Sequence, residues 1–239
     1  MSLRAFSSNR DAFRAGARDA FGVPAAILFA GMIGFGALGN ANGLSLQITT
    51  ATSILMYALP GQVVFVEMIV LGASGVAIAL ATMLTAARFL PMALTLVPQI
   101  PRKDRGLSLY GVAHFIAMTS WAVTMREFER ITPERRMAYL KGFGVSCWSM
   151  SFPGTVIGYL IAGYVPTPIT VGLVMLNPLF FLLSFTEVRA RASQLALVIG
   201  GVAGPIVYTI SPSWSIVICG LVGGTLAFML DGAVRKWKP

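Results

Sequence analysis

The chain has 239 residues, of which 56% are hydrophobic and 11% are charged, and its mean hydropathy is +0.77. Soluble domains carry about 25% charged residues, so this composition excludes a soluble globular domain and indicates a helical membrane protein. The net charge of +9 does not indicate a nucleic-acid-binding protein, because the basic residues flank apolar stretches, as they do in membrane proteins.

Long apolar stretches, each of the length that a membrane-crossing helix requires, follow one another along the chain. The predicted elements, in chain order, are an amphipathic helix at 9–20 and eight transmembrane helices at about 21–39, 46–71, 76–97, 107–125, 143–163, 169–185, 194–210 and 214–230. The predicted fold is therefore all-α and polytopic. A single transmembrane domain covers residues 21–231, between an N-terminal amphipathic segment (1–20) and a basic tail (232–239).

The N-terminal segment has two distinct faces. Phe13, Ala17 and Phe21 recur every four residues on an apolar face, while Arg14 and Arg18 share another. This pattern predicts a helix that lies on the membrane surface. No small-residue cleavage site follows a short apolar core, so the segment is not expected to be a signal peptide.

The distribution of Lys and Arg predicts that both termini are cytoplasmic. With eight crossings, 14 of the 18 basic residues lie inside, Arg102, Lys103 and Arg105 lie outside, and Arg88 lies in the membrane. An alternative makes residues 46–71 a re-entrant hairpin. Residues 98–105 then move inside, and residues 126–141 move outside unless a second element also fails to cross.

A helix interruption is predicted in the second apolar stretch, at Pro60 and Gly61. Proline removes an amide donor and glycine loosens the backbone, so carbonyl groups become free within the membrane. Transporters often bind substrate at such broken helices, whereas the alternative is a kink that serves packing alone. Gln62 adds a buried amide that needs partners. Asn177, before Pro178, is predicted to interrupt a later helix in the same way.

Glu67 and Arg88 are the only charged residues between positions 21 and 99. Counted from the turn near Ala73, Arg88 and Gln62 lie at a similar depth, near the middle of the bilayer. A membrane-embedded arginine usually faces a partner or a water-filled cavity, so Arg88 is a candidate ligand for a substrate carboxylate. The alternative is an arginine that extends to the membrane surface. Glu67, closer to the cytoplasmic end, is a candidate for proton coupling.

Two polar residues of the predicted helix 107–125 are further candidates. His114 is the only histidine and titrates near neutral pH, which suits proton coupling, although a lone helical histidine is commonly a hydrogen-bonded core residue. Thr119 is a candidate for lining the substrate path, although such hydroxyls often bond to their own helix. The sequence contains no pattern typical of a metal site, a phosphate-binding loop or a nucleophile–base pair. No metal, cofactor or enzymatic activity is therefore expected.

Pairs of glycines at a spacing of four residues occur in three predicted helices, at Gly154/Gly158, Gly200/Gly204 and Gly220/Gly224. Such pairs let helices approach closely. Most are expected to serve internal packing, and one is free to serve a partner subunit or a second copy of this chain.

Several motifs occur in a recognisable order along the chain: the start Arg10–Asp19, the turn Gly43–Ser45, and the hairpin Ser53–Pro98 with Thr85-Ala86-Ala87-Arg88-Phe89. In these motifs the chain resembles the large subunit of AzlC-type branched-chain amino acid exporters. Gln62, Arg88 and Thr119 are the residues that carry over individually. The chain departs from the family where Pro60-Gly61-Gln62 stands for Ala-Ser-Gln, and where Thr119-Ser120-Trp121 stands for Thr-Asp-Glu.

The resemblance implies export of a small amino acid, namely Val, Leu, Ile or Met, across a bacterial inner membrane. It also implies a small hydrophobic partner subunit of the AzlD type. Two alternatives stay open: a transporter subunit for a different small amphipathic substrate, and a membrane scaffold that does not transport.

Overall fold

The computed structural model of the protein describes residues 4, 6–87, 89–166, 168–169, 171–172, 175 and 191–237. Within these residues the secondary structure is helical, apart from an isolated bridge between Arg4 and Ile131. The α-helices are α1 (Asn9–Ala20), α2 (Val23–Ala41), α3 (Leu46–Leu55), α4 (Leu59–Val70), α5 (Gly75–Ala86), α6 (Phe89–Leu96), α7 (Leu107–Ala113), α8 (Met118–Phe128), α9 (Pro133–Tyr164), α10 (Arg191–Ile210), α11 (Ser215–Ile218) and α12 (Gly224–Trp237). The π-helical turn Cys219–Gly223 joins α11 to α12.

Three stretches of the described helices are long and apolar enough to cross a membrane: Val23–Ala41, Pro133–Tyr164 and Pro212–Gly232. A fourth arises if α5, α6 and the following 3-10 turn act as one bent span. The structure thus confirms an all-helical membrane protein. The predicted helices 46–71 and 107–125 are each interrupted, however, so neither is a simple continuous crossing. The predicted helix 169–185 lies largely outside the described residues.

The chain divides into two compact units. The first contains residues 1–62 and 86–177, and the second contains residues 63–85 and 178–239. In the second unit, buried Met68, Ala77, Ala81 and Val217 form the core. The residues that matter for a site near Gln62 belong to the first unit.

The long helix α9 is the spine of the first unit. It begins at Pro133, ten residues before the predicted start at 143, so much of the predicted polar segment 126–141 is helical. Helix α2 packs on it through glycines, because a Cβ at Gly36 would overlap the Thr155 carbonyl and one at Gly158 would overlap the Ile33 carbonyl. The Gly154/Gly158 pair therefore serves internal packing.

Helix α1 forms with the predicted bounds. It packs on α9, however, through a face that is neither the predicted apolar face nor the predicted basic face. Ala12, Gly16 and Ala20 are buried, and a Cβ at Gly16 would overlap the Tyr139 carbonyl. The predicted apolar residues Phe13 and Phe21 stay exposed, at 39% and 59%. Small residues, rather than aromatic ones, thus fix α1 against the protein.

The polar segment 98–105 lies at the same end of the first unit as the start of α9. The Arg136 guanidinium donates to the carbonyls of Gln99, at 2.9 Å, and of Phe128. A bilayer core is about 30 Å thick, so these segments cannot lie on opposite membrane surfaces. The prediction that placed residues 98–105 outside and residues 126–141 inside is therefore wrong. The positions fit the case in which a second element fails to cross.

Single cysteines at Arg102 and Arg126 are expected to react with a membrane-impermeant maleimide from the same side, because both segments lie at one end of the first unit. A cysteine at Asn42, in the exposed turn after α2, should react from the other side. The background for labelling is Cys147→Ser with Cys219→Ser. Reaction of positions 102 and 126 from opposite sides would contradict this topology.

An ion-pair cluster holds the chain near its N-terminus against the same end. Arg4 Nη1 lies 2.6 Å from Asp19 Oδ2 and 3.0 Å from Glu127 Oε2, and the Tyr139 hydroxyl donates to Asp19. Burial acts to raise the pKa of Asp19, but the hydrogen bonds from Arg4 and Tyr139 outweigh it and hold that pKa below its usual value. The Arg4 amide also donates to the Arg130 carbonyl.

Candidate functional site

The first element of the candidate site is the break between α3 and α4, at residues 56–58. Helix α3 ends at Leu55, and Tyr57 has a φ of +41°, in the left-handed region that side chains disfavour. Pro60 and Gly61 do not form the break as predicted. They lie in the first turn of α4, where proline is tolerated because first-turn amides lack helical partners.

The second element is the segment from Leu107 to Phe128, which we name the 107–128 hairpin. Helix α7 ends at Ala113, and α8 begins at Met118 after a short turn that includes His114 and Phe115. The Ser120 hydroxyl accepts from the Ala117 amide at 2.7 Å and thereby stabilises the start of α8. Because residues 98–105 and Phe128 lie at one end of the unit, this hairpin enters from that end and returns to it.

The two breaks meet at the carbonyl oxygen of Ile54, in the last turn of α3. His114 Nε2 lies 3.0 Å from this oxygen, and Trp148 Nε1 of α9 donates to it at 3.1 Å. The ring of Tyr57 lies 6.2 Å from that of His114. A carbonyl oxygen only accepts hydrogen bonds, so Trp148 and the Nε2-protonated form of His114 both act as donors to it. We name Ser53, Ile54, Tyr57, Gln62, His114 and Trp148 the central site.

Distances along helix α9 give the depth of the central site within the first unit. Arg136 marks one end through its bonds to Gln99 and Phe128, and Tyr159 marks the other by donating to the Leu44 carbonyl at 2.7 Å. Trp148 lies about 18 Å from Arg136 and about 17 Å from Tyr159 at 1.5 Å per residue. The end of α3 and the tip of the 107–128 hairpin thus approach from opposite ends and meet near the middle.

Gln62 is fully buried beside this meeting point. Its Nε2 donates to Ser53 Oγ at 3.0 Å, and Ser53 Oγ lies 2.7 Å from Thr155 Oγ1 of α9. Gln62 Oε1 and the Tyr57 hydroxyl are buried polar atoms that have no hydrogen-bond partner among the described residues. A buried polar group without a partner is costly, so such groups are uncommon and often mark functional positions.

The two helix breaks also carry helix ends of opposite polarity, because α8 begins four residues after His114. The end of α3 presents backbone carbonyls and partial negative charge, whereas the start of α8 presents amides and partial positive charge. This arrangement suits a small molecule that carries both a cationic and an anionic group.

The remaining predicted site residues are less tightly grouped. Thr119 is partly buried in the first turn of α8, beside buried Ser120. Glu67 has an exposed side chain on the part of α4 that belongs to the second unit. Arg88 and Asn177 lie outside the described residues. His114 is the candidate that the structure brings to the α3–α4 break, where it contacts the Ile54 carbonyl one residue after Ser53, the partner of Gln62.

Sequence reasoning missed four members of the central site, namely three side chains and the backbone carbonyl of Ile54. Tyr57 and Trp148 carry no signal in a single sequence, because each is an aromatic residue in an apolar stretch. Ser53 is likewise an ordinary small residue of a membrane helix. The break at 114–117 contains neither proline nor glycine, and its only trace is Ser120, a residue type that favours the first turn of a helix.

Interrupted helices whose ends meet inside an apolar helical unit are a recurring feature of membrane transporters. A family model described as AzlC protein matches residues 24–165, a range that includes the whole central site. The match covers more than half of the chain, and the chain therefore belongs to the AzlC family, which is associated with membrane transport. The resemblance inferred from the sequence motifs is confirmed. No curated protein and no solved structure matches the chain significantly.

Proposed function

We propose that this protein is a multi-pass secondary transporter of the bacterial inner membrane that exports small amino acids, with the branched-chain amino acids and Met as substrates. It works with a small hydrophobic subunit of the AzlD type. The sequence carries no nucleotide-binding motif, so an ion gradient or the substrate's own gradient drives export. The protein is a transporter, not an enzyme.

The meeting of two interrupted helices at the central site carries this proposal. An amino acid is a zwitterion, so its two charged groups need partners of opposite polarity within a small space. The ammonium group fits the carbonyl end of α3 and Gln62 Oε1, which is a buried acceptor without a partner among the described residues. The carboxylate fits the amides of Met118 and Thr119 in the first turn of α8. The apolar side chain then faces the aromatic rings of the site.

The proposed orientation places α1, residues 98–105 and residues 126–141 in the cytoplasm. Together with Arg4, these segments hold 12 of the 18 Lys and Arg residues. When these segments lie on one side, the first unit has a larger excess of cytoplasmic Lys and Arg than it has in the eight-crossing arrangement. The basic tail places the C-terminus on the same side.

Amino acid efflux from cells loaded with dipeptides tests the function. Cells that express this chain and its partner subunit should release leucine, isoleucine or valine faster than cells that carry an empty vector. A panel of dipeptides separates the alternatives. Efflux of a different residue indicates a different small substrate, and no efflux from any dipeptide favours a non-transporting scaffold.

Arg88 is proposed as a second partner of the substrate carboxylate, in addition to the α8 amides. Arg88→Ala is therefore expected to weaken transport affinity by about tenfold to a hundredfold, because a charge-assisted hydrogen bond to a carboxylate contributes about 1.5–3 kcal/mol. Arg88→Lys keeps the charge but loses the planar two-pronged geometry, so its affinity should be intermediate. Efflux kinetics and the protein level in the membrane are measured together. A lower protein level with unchanged transport per molecule would rule out recognition by Arg88.

A further inference from the structure

A cavity of about 530 Å³ lies at the α1 end of the first unit, far along α9 from the central site. Three arginines line it, Arg4, Arg126 and Arg130, together with the carboxylates of Asp19 and Glu127. The rest of the lining is uncharged: Gly22, Val23 and Pro24, at the start of α2, and Val123 of α8. The cavity is therefore amphiphilic.

The charges of the cavity do not balance. Arg4 bridges both carboxylates, at 2.6 Å from Asp19 and 3.0 Å from Glu127. Arg126 reaches Glu127 only at 3.5 Å and has a side chain that is 69% exposed. The Nε atom of Arg130 is buried and has no hydrogen-bond partner in the described part of the chain. Three cations against two anions leave one positive charge.

The position of the cavity in the membrane indicates what kind of ligand can reach it. Val23 is 72% exposed and begins the stretch Val23–Ala41, one of the candidate membrane spans. The end of a membrane span lies at the level of the lipid headgroups. The cavity wall formed by the start of α2 is thus in contact with the lipid phase, while the arginines lie at headgroup level.

We propose that this cavity binds the phosphodiester of an anionic phospholipid, with one acyl chain along Val23 and Pro24. A phosphodiester carries a single negative charge, which matches the surplus of the site. Arginine binds phosphate oxygens through paired N–H donors, and Arg126 and Arg130 are available for this purpose. The α2 N-terminus, whose N-cap Gly22 supplies no side-chain bond, adds partial positive charge. A bound lipid would fix α1, α2 and α8 relative to one another.

Thermal unfolding of the purified protein in mixed micelles tests the proposal. Phosphatidylglycerol should raise the Tm by about 5 °C near saturation, whereas phosphatidylcholine should not. Arg126→Gln and Arg130→Gln should each raise the apparent Kd for phosphatidylglycerol by about tenfold, the loss expected for a charged hydrogen bond. Arg102→Gln, an exposed arginine at the same end that does not line the cavity, is the matched control and should keep the wild-type shift.

Each other result overturns the proposal. Equal stabilisation by the two lipids would exclude selection for the anionic headgroup. An equal shift with glycerol 3-phosphate would show that a free phosphate compound, not a lipid, occupies the cavity. An equal loss of phosphatidylglycerol affinity in Arg102→Gln would show that the lipid does not act through the cavity. Because Arg126 is largely exposed, Arg126→Gln stays informative even if Arg130→Gln fails to fold.

Discussion

Gln62→Leu is expected to raise the KM for the exported amino acid by about tenfold to a hundredfold, with a normal protein level in the membrane. The proposed role of Gln62 Oε1 is to accept a hydrogen bond from the substrate ammonium group, and a hydrogen bond to a charged group contributes about 1.5–3 kcal/mol. Leucine has a similar volume, so the packing against α3 should survive. Ser53 loses the Gln62 donor but keeps its 2.7 Å contact with Thr155.

Gln99→Leu is the matched control for this prediction. Gln99 lies at the far end of the first unit, where its amide contacts Met125, so its loss should leave KM unchanged. If Gln62 Oε1 is only a buried core atom without a hydrogen-bond partner, Gln62→Leu removes the free-energy cost of burying it. The protein would then become more stable and transport would not change, which would contradict a substrate role.

Gly158→Ala is expected to destabilise the protein strongly, because the added Cβ would overlap the backbone of Ile33 in α2. The two helices must separate to admit it, and overpacking of this kind costs about 1–3 kcal/mol and sometimes more. We expect the Tm of the purified protein to fall by several degrees, or folded protein to be lost. The measurement is thermal unfolding together with the yield of monodisperse protein.

The control variant, Gly163→Ala, should not lower the stability of the protein. A Cβ at Gly163 would meet only the end of the Asn40 side chain, at 3.4 Å. Alanine is favoured over glycine in a helix by about 1 kcal/mol, so this variant should be neutral or slightly stabilised. Similar losses in both variants would indicate that α9 does not tolerate any change, and would contradict the specific contact with α2.

The sequence was sufficient to predict the class of protein and several of its elements. Apolar stretches flanked by charged residues predicted the helical membrane fold, and the motifs around Gln62 and Arg88 predicted the family. Helix α1 forms over the predicted residues because its composition favours a helix locally. The face that it buries could not be predicted, because Ala12, Gly16 and Ala20 are selected by the close approach of α9.

The topology could not be predicted from charge alone, because the positive-inside rule assigns sides only when the number of crossings is known. The 107–128 hairpin looks like one apolar helix in the sequence. Its break is stabilised by contacts that are distant in the chain, notably His114 with the Ile54 carbonyl, and by Ser120. Counting residues 46–71 and residues 107–125 each as one crossing then put residues 98–105 on the opposite side of the membrane from residues 126–141.

The candidate site was predicted in part. Gln62 was identified correctly as a buried amide beside a helix break. The break itself lies a few residues earlier, because Pro60 is compatible with the first turn of α4 and starts that helix instead of ending α3. A left-handed Tyr57 cannot be expected from sequence, since non-glycine residues adopt this conformation only when the surrounding structure holds them there.

Fluorescence of Trp148 tests most directly whether amino acids bind at the central site. Trp148 donates to the Ile54 carbonyl, so a ligand at that point should change its emission. In a variant with Trp121→Phe, Trp214→Phe and Trp237→Phe, titration with leucine should give a saturable change that Gln62→Leu shifts to higher concentration. An unchanged emission in protein that still exports leucine, or a titration that Gln62→Leu leaves unaltered, would contradict a substrate site where the two interrupted helices meet.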